Sequence, residues 1–368
     1  MTVNLVYFVS HPIQYQAPLL RNLAGDADIE LTVVFGSDFS DRSYLDTGFG
    51  VQVDWDVVLL DGYANHLLAD IDVGQLIRTS DAVWVHGWQE KFLRRIIQRS
   101  SRIGKPVLMR GENWSGAMPD GFGPKGWLKR KYLARIFSQC SAYLAIGSKN
   151  RDYYIDHGIR EDRIFSMPYA IDNTYFSARA TELAAAEIRR VHGIAQRRKI
   201  ILYAGKFIQR KHPDQVLEAW QKASWGENEK PVLMFVGDGE LRGRLESVST
   251  PDVIFTGFKN QSEMPAYYAA ADLFVLLSEK EPWGLAINEA MACGVGVISS
   301  DQCAAAFDLI DDDTGLRLPA GDIDALAQAF PAALARADDW GRGARRKIDG
   351  WSFDHDIAGL KQCLAAVL

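Results

Sequence analysis

Short apolar runs, many of them rich in β-branched residues, alternate along the chain with longer segments of helical periodicity. Runs bounded by turn residues predict ten buried strands: Val3 to Ser10, Ile29 to Phe35, Ala82 to His86, Pro106 to Arg110, Ala142 to Ile146, Ile200 to Gly205, Val232 to Gly237, Val253 to Thr256, Leu273 to Leu277 and Val295 to Ser299. Strands that alternate with helices favour parallel sheets. Each half of the chain therefore predicts an α/β, doubly wound sheet, whose ligands bind beyond the carboxyl ends of the strands.

The length of 368 residues and the 48% hydrophobic content indicate a folded chain of about two domains. A proline and polar turn residues mark a seam at Pro168 to Phe176. We predict a first domain over 1–172 and a second over 173–350. An amphipathic helix in 351–368 is expected to cap one of them, with the first domain as the candidate.

Charge and cysteine content exclude several classes of protein. A formal net charge of -6 argues against a nucleic-acid binder driven by overall positive charge. The four cysteines form no CxxC pair, so we expect free thiols and a reducing compartment. The N-terminus lacks the features of a signal peptide, and no apolar stretch approaches the length of a membrane-spanning helix. We expect a cytoplasmic protein.

The chemistry is concentrated in residues 278–301. A polar loop containing Glu281 and Pro282 leads through Trp283 and Gly284 into a predicted helix from Leu285 to Cys293. Unpaired amides at a helix start, together with the helix dipole, form an anion site that suits a phosphate. Glu281 and Glu289 bracket this site, and their carboxylates can accept hydroxyl hydrogens from the two ends of a nucleotide sugar. The alternative is that both are ordinary surface glutamates.

Three further loops follow predicted strands of the second half. The first turns at Gly205 and carries Lys206 and Lys211, two cations that can neutralise a diphosphate. The second turns at Gly237, and the third places Gly257 and Phe258 where backbone groups can contact a nucleobase. The alternatives are exposed lysines and glycines that only allow the chain to turn.

Together these motifs, with YYAAAD at 267–272 and EAMACG at 289–294, resemble the retaining glycosyltransferases of family 4. The resemblance is strong over about residues 140–330 and weaker over the first 130. It implies the GT-B fold, in which two Rossmann-like domains face each other across a cleft. The first domain would bind the acceptor, and the second would bind a nucleoside-diphosphate sugar.

The resemblance also implies roles for the matching residues. Lys206 and Lys211 would bind the donor pyrophosphate, Glu281 the transferred sugar, and Glu289 the ribose. The backbone from Trp283 to Leu285 would contact the phosphates and sugar. The base would be framed by Gly257, Phe258 and Lys259. His212 stands where the family commonly has glycine.

One departure concerns the acceptor side. Many family members carry a histidine after the fifth strand, where this chain reads Met-Arg-Gly-Glu-Asn-Trp. In this segment, Arg110, Glu112 and Asn113 are candidates to line the acceptor side of the cleft. Further candidates are His11 and Gln14, after the first predicted strand, and His86, at the end of the strand Ala82 to His86. For each histidine a structural role is the alternative.

The expected reaction needs no cofactor and no metal, because the lysines and the helix start stabilise the departing diphosphate. The triplet Asp311 to Asp313 superficially offers a metal-binding DxD, but it precedes a Thr-Gly turn. Retention implies attack from the face that the leaving group occupies. A covalent glycosyl-enzyme stays open as an alternative.

Residues 91–135 hold twelve lysines and arginines against two acidic residues. Basic amphipathic helices of this kind lie on anionic lipid, so this segment is a candidate peripheral contact at the inner face of a membrane. An ordinary surface helix is the alternative, and no nucleic-acid motif accompanies the charge.

The leading hypothesis is a glycosyltransferase that moves a hexose-type sugar from a nucleotide sugar to a glycan, lipid-linked or small-molecule acceptor. We expect such a reaction to belong to polysaccharide or glycoconjugate biosynthesis. A GT-B epimerase or phosphorylase is an alternative within enzymes. A non-catalytic sugar-nucleotide-binding protein is an alternative outside them, since a fold does not guarantee activity.

Overall fold

A computed structural model describes residues 2–41, 43–226 and 230–368. The strands within these residues are β1 (Val3–Val9), β2 (Ile29–Phe35), β3 (Tyr44–Asp46), β4 (Val51–Val53), β5 (Ala64–Leu67), β6 (Ala82–His86), β7 (Val107–Arg110), β8 (Ala142–Ala145), β9 (Ile164–Ser166), β10 (Ile200–Ala204), β11 (Val232–Val236), β12 (Val253–Phe255), β13 (Leu273–Leu276), β14 (Gly296–Ser300) and β15 (Gly315–Leu318). The helices are α1 (Ala17–Ala24), α2 (Val73–Thr79), α3 (Lys91–Arg102), α4 (Gly123–Phe137), α5 (Ser148–Asp156), α6 (Asn173–Arg179), α7 (Glu182–Val191), α8 (Pro213–Lys222), α9 (Arg242–Ser247), α10 (Met264–Ala270), α11 (Leu285–Ala292), α12 (Ala305–Leu309), α13 (Ile323–Ala335), α14 (Ala337–Ile348) and α15 (Phe353–Val367).

The chain forms two units. The first unit comprises Met1–Ser43, Val57–Ile171 and Trp351–Leu368, and the second comprises Tyr44–Asp56 and Asp172–Gly350. No pattern in the sequence predicted that Tyr44–Asp56 would group with the second half of the chain. This segment forms the antiparallel pair β3 and β4.

Each unit is built on a parallel sheet. The strand order is β5-β2-β1-β6-β7-β8-β9 in the first unit and β12-β11-β10-β13-β14-β15 in the second. The order of the strands along the chain reverses between β1 and β6 in one sheet and between β10 and β13 in the other. The predicted α/β class with two doubly wound parallel sheets is therefore confirmed.

The first sheet is covered on both faces, which explains why its strands are continuous apolar runs. Along β1, Leu5, Tyr7 and Val9 belong to one buried cluster, while Val6 and Phe8 belong to the other. The first cluster includes apolar residues of α1 and α15, and the second includes those of α3 and α4. The C-terminal helix α15 is thus part of the core of the first unit.

A buried ion pair joins α15 to the end of β7. Arg110 Nη2 lies 3.2 Å from Asp356 Oδ2, and both side chains are 1% exposed. Burial raises the pKa of Asp356 to about 6, because desolvation outweighs the attraction of Arg110. An isolated charge at this depth is strongly unfavourable, so each partner depends on the other.

In the second unit, every residue of β10 and β11 is buried. One face of this sheet packs against apolar residues of α8 and α13, including Trp220 and Phe330. The carboxyl ends of β10 and β13 are neighbours at the reversal of strand order.

All four cysteines are buried and free, as predicted. Among the described residues, no helix is long and apolar enough to cross a bilayer. The same residues contain no group of three or more His, Cys, Asp or Glu side chains arranged to hold a metal ion. Asp311, from the acidic triplet, instead pairs with Lys347 at 2.9 Å.

Candidate functional site

The first candidate site lies where the strand order of the second sheet reverses. The loop after β10 carries Lys206 and Lys211, and the loop after β13 carries Glu281 and leads into α11. Parallel α/β sheets bind ligands at such a reversal, just beyond the carboxyl ends of the strands. We refer to these loops and the start of α11 as the donor-side site.

Lys211 and Glu281 meet in this site. Lys211 Nζ donates a hydrogen bond to Glu281 Oε2, and Arg210 Nη1 lies 3.9 Å from the same oxygen. Glu281 is 8% exposed, and its amide donates to the carbonyl of Gln302 at 2.9 Å. The carboxylate is therefore held in a fixed place next to a lysine ammonium.

Lys206 has a different carboxylate partner, which was not expected from the sequence. Its ammonium lies 2.7 Å and 2.8 Å from the two carboxylate oxygens of Asp46, in the β3–β4 segment. The same ammonium is 4.9 Å from the ring centre of Phe49. The two lysines of the loop thus each face an acidic residue.

Backbone packing explains the glycine after β11. Gly237 has φ of +134°, and a Cβ atom there would lie 1.9 Å from the carbonyl oxygen of Gly205. Its amide donates to the carbonyl of Gly257 at 2.9 Å. Three of the predicted loop glycines therefore mark adjoining turns at the ends of β10, β11 and β12.

His212 adopts a left-handed conformation, with φ of 50° and ψ of 46°. This region favours glycine, because a Cβ atom crowds the backbone there. Its side chain approaches Glu279, with Nε2 3.6 Å from Oε2. Position 212 therefore has a backbone conformation that glycine would adopt without strain.

The residues around the start of α11 are buried or partly buried. Trp283 is 2% exposed, donates its indole N–H to Asn288 at 2.9 Å, and accepts at its carbonyl from the Ala305 amide at 3.0 Å. Pro282, Gly284 and Leu285 are partly buried. The first amides of a helix have no acceptor four residues earlier, and they keep the donor capacity that an anion requires.

Glu289 projects from α11 and accepts a hydrogen bond from the Tyr268 hydroxyl at 2.7 Å. Burial raises the pKa of Glu289 to about 7, although the hydrogen bond from Tyr268 acts in the opposite direction. Its protonation state therefore changes near neutral pH.

The predicted base-binding residues lie after β12. Phe258 packs edge-on against Phe49 and Trp55, with ring centres 5.0 Å and 6.0 Å apart. Lys259 pairs with Glu263 at 3.2 Å. Both aromatic partners of Phe258 come from the Tyr44–Asp56 segment.

A second candidate site lies where the strand order of the first sheet reverses. His86 ends β6, and its Nε2 is 3.6 Å from Oε1 of Glu112, which follows β7. Its Nδ1 is 3.0 Å from the Tyr7 hydroxyl and 3.3 Å from the Gln16 amide nitrogen. The Tyr7 hydroxyl donates to the Gln16 amide oxygen at 2.9 Å. An Nε2–H of His86, present in the protonated imidazole and in one neutral tautomer, faces the carboxylate.

Glu112 is the focus of this second cluster. Tyr169 donates a hydrogen bond to its carboxylate, and the Tyr15 hydroxyl is 3.5 Å from the same oxygen. Burial alone would raise the pKa of Glu112. The hydrogen bond and the charge of His86, and the hydrogen bond from Tyr169, outweigh this effect, so the pKa of Glu112 is lowered overall. Its side chain is 30% exposed. The cluster thus presents an ionised, partly accessible hydrogen-bond acceptor.

The other residues predicted for the acceptor side have varied surroundings. Burial and the nearby charge of His86 lower the pKa of His11, which bonds Ser10. Gln14 is partly buried in the turn before α1. Asn113 is buried and accepts from the Gln89 amide at 3.2 Å. Arg110 is occupied by the buried pair with Asp356, so we do not carry it forward as a ligand contact.

Several polar residues of these sites were missed from the sequence: Tyr7, Tyr15, Gln16, Asp46 and Tyr169. Tyr7 was a polar-tipped residue within a strand read as buried, and Tyr169 lay in the segment interpreted as a seam. Asp46 carried no signal, because its partner Lys206 is 160 residues away.

The basic segment 91–135 divides into two different helices. In α3, Leu93, Ile96 and Ile97 are buried in the core, as in an ordinary surface helix. Around the start of α4, apolar side chains are instead exposed. These are Phe122, Trp127, Leu128 and Tyr132, with exposures of 100%, 56%, 59% and 46%. We call these four residues the α4 patch.

Residues 185–347 match the family model described as Glycosyl transferases group 1. A GDP-mannose-dependent alpha-mannosyltransferase of Mycobacterium tuberculosis is 29% identical over 228 residues, which are 62% of this chain and 56% of the relative. The mannosylfructose-phosphate synthase of Agrobacterium fabrum is 27% identical over 176 residues, which are 44% of this chain and 38% of the relative. The chain thus spans about half or less of the length of these curated relatives.

Two solved structures have the same fold over essentially the whole chain. A glycosyltransferase from Rickettsia africae has a TM-score of 0.77 at 13% identity and covers 100% of this chain and 98% of its own. Anabaena HepE in complex with UDP has a TM-score of 0.75 at 14% identity, with 100% of both chains covered. Residues 185–347 are thus similar to the group 1 glycosyl transferases, and the chain has the GT-B fold of two Rossmann-like domains that these solved structures show.

Proposed function

We propose that this protein is a retaining glycosyltransferase that moves a hexose-type sugar from a nucleoside-diphosphate sugar to a glycan, lipid-linked or small-molecule acceptor. The observation that carries the proposal is the contact between Lys211 and Glu281 beside the start of α11. This cation and carboxylate adjoin a helix start at the reversal of the sheet, within the segment that matches the family.

Charge on the leaving group gives the two lysines their proposed roles. A nucleoside diphosphate gains negative charge as its bond to the anomeric carbon breaks. Cations and helix amides held beside it stabilise the transition state more than the ground state. A lysine ammonium has three donors, so Lys211 can bind a phosphate oxygen while it retains Glu281. No cofactor is required by this scheme, and the charge stabilisation comes from side chains rather than from a metal.

The carboxylates would bind the two sugars of the donor. Glu281, held by Lys211, would accept hydroxyl hydrogens from the transferred hexose, and Glu289 would accept them from the ribose. Gly257, Phe258 and Lys259 would surround the base. Among the relatives, the mannosyltransferase is named as GDP-mannose-dependent, and HepE was solved with UDP, so both bases need testing.

On the acceptor side, we assign Glu112 and His86 of the first unit to binding hydroxyl groups. The lowered pKa of Glu112 makes it a weak base and a good hydrogen-bond acceptor. It would therefore orient an acceptor hydroxyl rather than remove its proton. In a retaining reaction, a phosphate oxygen of the leaving group would receive that proton.

The α4 patch supports a peripheral contact with an anionic membrane face. Exposed aromatic residues lie among lysines, and Lys131 sits 4.0 Å from the ring centre of Trp127. Aromatic and basic side chains together favour the interface of anionic lipid. Such a contact would bring the enzyme to a lipid-linked acceptor at the cytoplasmic face.

Binding and transfer assays test the proposal. A nucleoside diphosphate that binds only the folded protein raises its melting temperature. We expect a rise with UDP or GDP, and we expect Lys211→Met and Glu281→Gln to abolish sugar transfer without unfolding the protein. Lys222→Met, at an exposed lysine of the same unit, is the matched control. A protein that binds nucleotides but transfers no sugar in a screen of acceptors would be a binding protein, and normal turnover by Lys211→Met would remove the assigned role.

A further inference from the structure

The segment Tyr44–Asp56 covers residues on which the proposed function depends. Asp46 contacts Lys206, and Phe49 and Trp55 contact Phe258. These partners are the proposed pyrophosphate and base contacts. We refer to Tyr44–Asp56 as the flap.

The carboxylate of Asp46 is anchored from two directions. It accepts hydrogen bonds from the amides of Gly48 and Phe49 at 2.8 Å and 3.0 Å, and both of its oxygens accept from Lys206. A Cβ atom at position 48 would lie 2.6 Å from Cδ of Lys206, so a larger residue there would displace the lysine side chain. The flap is shaped around the lysine side chain.

Further contacts hold the flap beside the base-binding loop. The side-chain amide of Asn260 donates to the backbone carbonyl of Asp54 at 2.7 Å, and the backbone amide of Ser262 donates to the Asp56 carboxylate at 3.1 Å. Five flap residues therefore contact the loops after β10 and β12.

This arrangement creates a conflict when a donor arrives. The Asp46 side chain is 13% exposed and that of Lys206 is 31% exposed, so the pair is partly shielded from solvent. A pyrophosphate that binds Lys206 would place negative charge next to a carboxylate already bonded to that ammonium. A phosphate and the Asp46 carboxylate that share one ammonium would repel each other strongly, because water is partly excluded from the pair.

We infer that Asp46 competes with the donor pyrophosphate for Lys206, so that donor binding releases the flap. Asp46 is thus a positioning residue that lowers donor affinity and acts through Lys206. It holds the ammonium in place while the site lacks a donor. The inference rests on the proposed function, because it takes Lys206 as a phosphate contact.

Asp46→Asn tests the competition directly. The asparagine oxygen can still accept from the two flap amides, while the negative charge is lost. We expect UDP and GDP to bind about fivefold more tightly, the upper end of what a partly exposed ion pair contributes. Asp54→Asn is the matched control, because it removes an exposed flap carboxylate whose backbone, rather than side chain, contacts Asn260. It should leave nucleotide affinity unchanged.

Two further measurements separate competition from a merely structural role. In the Lys206→Met background, Asp46→Asn should give no gain in affinity, because the shared partner is gone. Hydrogen exchange of peptides covering the flap should become faster when nucleotide saturates the wild-type protein. Slower exchange would mean that the flap closes over the nucleotide and would overturn the inference.

The outcomes distinguish this inference from the proposed function. If the wild-type protein binds neither nucleotide, both fail. If it binds a nucleotide and Lys206→Met weakens binding, but Asp46→Asn binds no more tightly, only the competition is wrong. Weaker binding by Asp46→Asn would likewise contradict it, because it would mean that Asp46 helps Lys206 to hold the phosphate.

Discussion

The raised pKa of Glu289 leads to a testable coupling between pH, stability and nucleotide binding. Replacement by glutamine keeps the shape of the side chain and removes its titration. In the wild-type protein, burial in α11 raises the pKa of Glu289 from its usual 4.5 to about 7. The folded protein therefore holds a proton over a pH range in which the unfolded chain has released it.

The sign of the stability effect follows from this difference. Because the folded-state pKa is raised, the stability that Glu289 contributes is complete below about pH 4.5 and is lost as pH rises towards 7. A shift of this size corresponds to about 3 kcal/mol of unfolding free energy as an upper limit. Glu289→Gln should therefore gain stability relative to wild type as pH rises from 4.5 to 8.

Nucleotide binding should show the opposite trend, because the ribose hydroxyls need an ionised acceptor. With a pKa of about 7, the carboxyl group is about one-tenth ionised at pH 6 and about nine-tenths ionised at pH 8. Wild-type affinity for UDP or GDP should therefore rise about tenfold over this range through Glu289. The nucleotide phosphates also titrate, but that effect is common to wild type and Glu289→Gln and cancels in the comparison.

The assay is isothermal titration calorimetry from pH 6 to 8, with thermal unfolding of both proteins from pH 4.5 to 8. The expected result is a pH-dependent affinity ratio between wild type and Glu289→Gln, and a stability difference that grows with pH. Parallel affinity profiles would refute the ribose role. A constant stability difference would refute the raised pKa.

Three further predictions concern the fold and its surface. Asp356→Ala should lower the free energy of unfolding in urea by about 3–5 kcal/mol, because it leaves Arg110 charged and buried. Asp356→Leu combined with Arg110→Met should recover most of this loss, and equal losses in the two variants would contradict the role of the ion pair. His212→Val should lower the free energy of unfolding by about 1–2 kcal/mol in the same assay, because a β-branched residue is unfavourable at positive φ. His212→Gly should be tolerated, and a glycine variant less stable than the valine variant would be inconsistent with the observed turn. Trp127→Ser should reduce cosedimentation with phosphatidylglycerol vesicles, whereas Ile103→Ser, at an exposed residue outside the α4 patch, should not; equal binding by all three proteins would exclude a contact through this patch.

All ten strands predicted from apolar runs are present, and their ends differ from prediction by one residue at most. Central parallel strands are buried on both faces, so their composition is distinctive. The strands that were missed are shorter or half-exposed. β5 and β9 lie at the edges of the first sheet and contain no fully buried residue, while β15 lies at an edge of the second sheet and buries only Gly315.

The juxtaposition of Lys211 and Glu281 could be anticipated because both follow strands whose carboxyl ends share one edge of a sheet. The pairing of Asp46 with Lys206 could not. It depends on a short segment that leaves one half of the sequence and packs with the other. Likewise, Arg110 was a candidate because it lies in the segment that replaces the histidine of many family members, but its buried partner Asp356 lies 246 residues later in the C-terminal helix.

A crystal structure with a bound nucleoside diphosphate would show whether the donor-side site holds the donor. We expect the β-phosphate to lie against the amides of Gly284 and Leu285, within hydrogen-bond distance of the Lys211 ammonium, with the ribose at Glu289. A diphosphate bound elsewhere, with Lys211 still directed only at Glu281, would contradict it.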